Sequence, residues 1–177
     1  MSKEKYLFDA NTFITAKNTF YSFDVVPSFW TQINELAEKE VFCIIDRVYD
    51  ELVFPDKKHP ANEDELSLWI RTEFKGKINS THNTEVVKTY AQIIQKMTQE
   101  PPYKSHYKTS AKARFAEATN ADAWLVAYAK VFNLTIVTFE KYTAEEKKNI
   151  KIPVVCREFG VDYINLHEFM RRMKMRI

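Results

Sequence analysis

The chain alternates between short apolar runs and longer segments in which apolar residues recur every three or four positions. Four of the runs are rich in β-forming residues and predict strands: Lys5–Asp9, Val41–Ile45, Leu134–Phe139 and Ile152–Cys156. Asp162–Leu166 is a weaker fifth run. None alternates cleanly between apolar and polar positions, and continuous apolar runs are typical of strands buried on both faces of a parallel sheet.

The segments between these runs have the spacing of amphipathic helices. They predict helices at Pro27–Glu40, Asp46–Val53, Asn62–Phe74, Thr84–Thr98, Asp122–Phe132 and Leu166–Met175. Strands that alternate with helices predict an α/β fold with right-handed crossovers. The region 55–119 shows helical patterns and no convincing strand, so we interpret it as a helical insert or arm within a single domain spanning residues 1–177.

Composition narrows the class of protein. With 45% hydrophobic residues, the 177-residue chain can build a sizeable core, and a net charge of +2 indicates no global attraction to nucleic acid. No apolar run has the length of a signal or membrane segment, which leads us to expect a cytoplasmic protein without a membrane partner. Cys43 and Cys156 lie in apolar runs and are expected to be buried thiols.

Glycine and histidine usage excludes several kinds of site. The two glycines, Gly76 and Gly160, cannot form a P-loop or a dinucleotide-binding fingerprint, each of which needs several glycines beside a helix start. The four histidines are scattered and lack the spacing of a zinc site.

Acidic residues stand at the ends of the predicted elements. Asp9 ends the first run and Glu140 ends the third, so both would lie at the carboxyl edge of a parallel sheet, where ligands of such sheets bind. Asp122 opens a helix, and the spacing of Glu51 from Val48 places it toward the inner face of its helix. Each acid alone is explained by helix capping or solvation. Together they are a candidate site for a hard cation such as Mg²⁺ or Mn²⁺.

Three stretches, in order, resemble a PIN-domain nuclease: YLFDANTFI, VYDEL and ADAWLVAYAKVFNLTIVTFE. The following KIPVVCREFGV resembles a prokaryotic PIN-like subfamily of formerly unknown function. The resemblance covers Lys5–Phe54 and Ala118–Asp162. It implies a three-layer α/β/α fold with a central parallel sheet of four to five strands.

The resemblance also implies a function. Asp9, Glu51, Asp122 and Glu140 would be the catalytic, metal-binding residues, with Asn11 and Thr138 as polar residues beside them. The activity would be Mg²⁺- or Mn²⁺-dependent endonuclease cleavage of RNA, and the partners would be an antitoxin protein and a second copy of the chain. Many PIN nucleases have Asp at the position of Glu140, and this difference favours an alternative, a catalytically inactive module that binds nucleic acid or protein.

Cations and aromatic residues supply two further hypotheses. Lys104, Lys108, Lys112 and Arg114 precede Asp122 among tyrosines, a composition that can bind phosphates and stack bases. A solvated connector explains the same run equally well. The aromatic residues between Phe13 and Trp30 favour core packing, and a partner surface is the alternative.

Overall fold

A computed structural model describes residues 5–54 and 64–177. Its strands are β1 (Tyr6–Phe8), β2 (Phe42–Ile45), β3 (Lys77–Asn79), β4 (Thr135–Val137) and β5 (Tyr163–Ile164). They form one sheet in the order β3-β2-β1-β4-β5, and every neighbouring pair is parallel. The chain builds outward from β1 on one side and then on the other, which places the topological switch point between β1 and β4.

Helices connect the strands and flank the sheet. They are α1 (Ala10–Thr15), α2 (Pro27–Glu38), α3 (Asp46–Val53), α4 (Glu65–Thr72), α5 (Thr84–Gln99), α6 (Tyr103–His106), α7 (Thr109–Phe115), α8 (Ala121–Phe132), α9 (Ile152–Phe159) and α10 (Leu166–Arg172). A π-helical segment, Ala16–Phe20, continues α1. The predicted three-layer α/β/α fold with a parallel sheet is confirmed.

Aromatic rings fill one face of the sheet. Phe8 of β1 stacks on Phe42 of β2 at a centroid distance of 4.0 Å. Phe169 of α10 meets Phe8 edge-on at 4.8 Å, which holds α10 against the strands. Each fully buried side chain of this size contributes roughly 2–3 kcal/mol to stability. Because side chains alternate along a strand, Leu7 and Cys43 belong to the opposite face, where they are also buried.

The run Ile152–Cys156 was predicted as a strand, and this prediction is wrong because the residues form α9. Pro153 lies in the first turn of α9, where a missing N–H leaves no hydrogen bond unmade. Gly160 ends the helix at φ 65°, a left-handed conformation that suits glycine. A proline near the start and a glycine just past the end were the signals for a helix.

The region 55–119 contains a strand, so the prediction that it has none is wrong. β3 pairs with β2 as an edge strand, and its first two residues, Lys77 and Ile78, are exposed. A short, half-exposed edge strand lacks the apolar run by which buried strands are detected. α5 of the same region packs against α8, so its described part joins the sheet through a strand and a helix. Residues 55–63, including the predicted helix start at Asn62, lie outside the described residues.

Two smaller expectations concern the cysteines and the membrane. Cys43 and Cys156 are buried thiols that form no disulfide, as expected. Across residues 5–54 and 64–177, no helix has both the length and the apolarity to cross a bilayer.

Candidate active site

Asp9 lies at the switch point of the sheet. It follows β1 directly, and its backbone N–H donates to the carbonyl of Val137 in the neighbouring β4 at 3.1 Å. Its side chain is buried, with 2% of its surface exposed. The hydroxyl of Thr138, the residue after β4, donates to Asp9 Oδ2 at 2.9 Å. The carboxyl ends of β1 and β4 therefore hold one carboxylate between them.

The surroundings of Asp9 disfavour its charged form. Burial is the largest cause, and with the charges of Glu140 and Glu51 it raises the pKa of Asp9 from 3.8 to about 7. The Thr138 hydroxyl and the backbone N–H of Asn11 act in the opposite direction. Thr138 and Asn11 thus provide polar groups that act on Asp9. Their role beside a metal site stays a prediction.

Asp122 lies in the first turn of α8, and its position follows from the cap of that helix. The side chain of Asn120 accepts a hydrogen bond from the Asp122 backbone N–H at 2.9 Å and fixes the helix start. Burial, followed by the charges of Asp9, Glu140 and Glu51, raises the pKa of Asp122 well above its usual value. Asp122 is therefore coupled to the other three acids.

Glu140 has a second attachment that sequence reasoning did not anticipate. Its backbone N–H donates to the Thr138 hydroxyl at 3.1 Å, and its Oε2 accepts from the backbone N–H of Ile152 at 2.7 Å. The carboxylate thus binds the first residue of α9, where the helix dipole favours negative charge. Burial raises the pKa of Glu140, and the Ile152 N–H and the charge of Lys151 oppose that rise.

Glu51 lies on α3, and its side chain is exposed, while its neighbours Val48 and Leu52 are buried. The expectation that Glu51 turns toward the core is therefore wrong. Helical spacing gives the direction in which a side chain leaves the helix axis. Whether a side chain at the margin of the apolar face is buried depends on the elements that pack against the helix. The charge of Glu51 still raises the pKa values of both Asp9 and Asp122, so it contributes to the same electrostatic environment.

The structure therefore couples the four predicted acids through their charges, and Asp9 and Asp122 respond most strongly. The four carboxylates do not form a compact set of ligands in the structure. Across residues 5–54 and 64–177, no group of three or more histidine, cysteine, aspartate or glutamate side chains has the arrangement of a metal-ion site.

The predicted basic run is an ordered surface on α6 and α7. Lys112 Nζ donates to the Lys104 carbonyl at 2.6 Å. Arg114 donates to the Lys148 carbonyl at 2.6 Å and to Asn149 Oδ1 at 3.1 Å. Part of this positive charge therefore ties α7 to the loop between β4 and α9. Contact with nucleic acid stays a prediction for Lys104, Lys108, Lys112 and Arg114.

Sequence reasoning missed the partners of Asp46, the first residue after β2. Its carboxylate accepts hydrogen bonds from the backbone N–H of Thr81 at 2.9 Å, from the Thr81 hydroxyl at 2.9 Å and from the backbone N–H of Arg47 at 2.8 Å. These bonds join the start of α3 to the loop after β3. Because Thr81 comes from a distant part of the chain, no local signal indicates it.

Comparison with known proteins assigns the chain to a family. A model described as a domain of unknown function, DUF4411, matches residues 6–177. The chain belongs to the DUF4411 family. A comparison with curated proteins finds no match for this DUF4411 chain.

Two solved structures resemble the DUF4411 chain in fold. DNA-bound VapBC from Salmonella typhimurium has a TM-score of 0.50 at 17% identity, covering 92% of this chain and 98% of that one. FitAcB from Neisseria gonorrhoeae has a TM-score of 0.50 at 18% identity, covering 90% of this chain and 96% of that one. At this identity the likeness concerns the fold, and it confirms the predicted PIN-like architecture.

Proposed function

We propose that the chain is a divalent-metal-dependent nuclease that hydrolyses phosphodiester bonds in RNA. The observation that carries this proposal is the coupling of Asp9, Asp122 and Glu140 at the switch point between β1 and β4. Ligands of open α/β sheets bind at this position. Acids that raise one another's pKa are costly to ionise together, and a divalent cation removes that cost.

The donor set fits a hard cation. All candidate ligands are carboxylate oxygens, which suit Mg²⁺ and Mn²⁺. Mg²⁺ commonly binds through one or two protein carboxylates and keeps its other positions for water and substrate phosphate. Asp9 and Asp122 would hold the ion, and Glu51 and Glu140 would add negative charge around it. When bound, the ion would supply a water of lowered pKa and offset negative charge on the phosphate.

The chain's own groups orient the two proposed ligands. The Thr138 hydroxyl holds one oxygen of Asp9, and the Asn120 cap fixes the first turn of α8 beneath Asp122. Hydrogen bonds of this kind around ligating carboxylates hold their orientation, and their loss typically costs 10–100-fold in metal affinity or activity.

The test is calorimetric titration of Mn²⁺, with cleavage of a mixed RNA pool measured in the same samples. Wild type is expected to bind Mn²⁺ and cleave, and Asp122→Asn to do neither. Asp50→Asn is the matched control, because Asp50 is an exposed acid next to Glu51 that has no part in the coupled set. Binding and cleavage that survive in folded Asp122→Asn would contradict the proposal.

A second candidate is the catalytically inactive module that binds nucleic acid or protein. The hydrogen bond from the Ile152 N–H to Glu140 favours the inactive module, because that carboxylate already accepts a hydrogen bond from the first residue of α9. Mn²⁺ binding that depends on Asp122, without cleavage of any RNA in the pool, would support this candidate over the nuclease.

We propose further that this nuclease activity makes the chain a toxin in the cell. VapBC and FitAcB, which share the fold, support a partner protein of the antitoxin kind. Expression of the wild-type chain is then expected to arrest growth, while Asp122→Asn, produced at the same level, is not. Equal growth inhibition by both would contradict a toxin role based on this site.

A further inference from the structure

A groove lies beside the candidate active site on the β4–β5 side of the sheet. Its volume is about 620 Å³. Its aromatic walls include Phe20, Phe139 and His167, and its polar walls include Thr138, Glu140 and Arg171. We name it the Phe20 groove.

The aromatic walls form one cluster. The rings of Phe20 and Phe139 are stacked with centroids 5.6 Å apart and planes 21° apart. His167 meets both rings edge-on, at 5.2 Å from Phe20 and 5.8 Å from Phe139. Phe20 is nevertheless 45% exposed, so much of its surface is available to a ligand in the groove.

A departure from regular helix positions Phe20. The segment Ala16–Phe20 is π-helical, and the N–H of Tyr21 donates to the carbonyl of Ala16 at 2.6 Å. Short π-helical turns inside helices are rare and are frequent at functional sites. Phe20 ends this turn, while Ala16 and Phe13 at its base are buried in the core. The exposed ring of Phe20 is therefore joined to the core through the buried residues at the base of this turn.

The groove is continuous with the acidic site. Thr138 and Glu140 line it, and Thr138 donates to Asp9. Cations stand at its rim, since Lys141 is exposed and the Arg171 side chain is 75% exposed. The ion pair of Arg171 with Glu168, at 3.7 Å, is a surface pair of small energy, so a phosphate can compete for the guanidinium.

Stacked aromatic rings with cations beside them are the elements that bind single-stranded nucleic acid. The rings stack on bases and the cations contact the backbone. In a double helix the bases are already stacked inside, whereas unpaired bases can leave the stack and lie on a protein ring.

We propose that the Phe20 groove binds one unpaired base of single-stranded RNA next to the phosphodiester at the acidic site. This inference rests on the proposed nuclease function and makes it more specific, because it names the surface that would hold a base beside the bond to be cleaved.

The test uses a single-stranded RNA oligonucleotide labelled with 2-aminopurine, whose fluorescence falls when the base stacks. Ca²⁺ replaces Mg²⁺ and Mn²⁺ so that binding is measured apart from cleavage. The variant is Phe20→Ala. Its matched control is Phe132→Ala, because Phe132 is a similarly exposed phenylalanine, 40% against 45%, at the end of α8.

Wild type and Phe132→Ala are expected to quench the fluorescence and to bind with equal affinity. Phe20→Ala is expected to lose the quenching and to bind roughly 5- to 150-fold more weakly, the range measured when one stacking residue is removed. A duplex of the same sequence is expected to show no difference between the three proteins.

The outcomes separate the two proposals. If the wild type cleaves RNA with metal but Phe20→Ala matches Phe132→Ala in quenching and affinity, the groove proposal is wrong and the nuclease stands. If RNA binds without quenching in the wild type, the groove belongs to another ligand, such as a protein segment. If wild type neither binds nor cleaves RNA, both proposals fail.

Discussion

Asp9 and Asp46 each follow directly after one of two neighbouring parallel strands, and their surroundings differ. Each is the first residue after its strand, β1 or β2, at the carboxyl edge of the sheet. Asp46 accepts hydrogen bonds from two backbone N–H groups and from the Thr81 hydroxyl. Asp9 is buried, accepts from the Thr138 hydroxyl and the Asn11 backbone N–H, and lies near the charges of Glu140 and Glu51.

The difference shows that the end of a strand is not enough to identify a functional acid. The hydrogen-bond donors around Asp46 stabilise its carboxylate, and through them Asp46 links α3 to the loop after β3. Burial, followed by the charges of Glu140 and Glu51, disfavours the charged form of Asp9, and such perturbed groups cluster at functional sites. The predictions below test this contrast.

The largest expected effect is on catalysis. Asp9→Asn and Asp122→Asn are each expected to lower kcat/KM for RNA cleavage by about 100-fold or more, since each removes a proposed ligand. Asp46→Asn, the equivalent change on the neighbouring strand, is expected to stay within about threefold of wild type. Steady-state cleavage of a fluorogenic RNA measures all three. A comparable loss in Asp46→Asn would remove the functional distinction between the two acids.

The next effect concerns stability without metal. In the folded state Asp9 keeps its proton up to about pH 7, whereas in the unfolded state it releases it near 3.8, so the unfolding free energy falls as pH rises through this window. The difference corresponds to about 4 kcal/mol at most. Asp9→Asn lacks this loss and is expected to be more stable than wild type at pH 8 and equal to it below pH 4.

Urea denaturation at several pH values, with a chelator present, measures this effect. Mn²⁺ is the control, because it is expected to restore the wild type at pH 8 and to leave Asp9→Asn unchanged. A variant less stable than wild type at every pH would show that the Asp9 charge is well compensated in the apoprotein.

Asp46 is expected to show the opposite sign. Asp46→Asn loses acceptor strength toward Thr81 and Arg47, and its unfolding free energy is expected to fall by about 1–2 kcal/mol at pH 7. Asp50→Asn, an exposed acid on the same helix, is expected to change it by less than about 0.5 kcal/mol. Urea denaturation without metal measures both variants, and equal stabilities would mean that the Asp46 hydrogen bonds contribute little.

The smallest effect concerns the basic surface. Reversing Lys104 or Lys108 to glutamate, one at a time, is expected to weaken RNA binding several-fold and to reduce the slope of log Kd against log salt by about 0.7 for each phosphate that the protein then leaves unneutralised. Lys75→Glu, before β3, is the control for net charge. Fluorescence anisotropy at several salt concentrations gives the slopes. If the Lys75→Glu control reduces the slope equally, the effect is one of overall charge and not of this surface.

Much of the fold could be predicted from local patterns. The predicted runs at β1, β2 and β4 hold residues buried on both faces, so their composition alone distinguishes them. β3 escaped prediction because an exposed edge strand needs no apolar run. α9 was mistaken for a strand because its short apolar run fits both structures, and only the Pro–Gly punctuation separates them.

Some features of the candidate site could likewise be predicted from local patterns, and others could not. The positions of Asp9, Asp122 and Glu140 at element ends were visible in the sequence, because strand ends and helix starts have local signals. The exposure of Glu51 and the bond from Ile152 to Glu140 were not visible, since each depends on segments that pack against the residue.

The sequence by itself determined that this chain is an α/β protein with acids at the ends of its first and third predicted strands. The spacing of apolar residues and the residue types at strand ends are local properties, and they can be recognised without knowledge of the packing. Only the tertiary structure decided which acid is buried near other acids and which is held by a distant loop, because the surroundings of a carboxylate depend on groups brought from distant parts of the chain. That decision separates Asp46 from Asp9, and it also placed Phe20 of the π-helical turn beside the proposed active site.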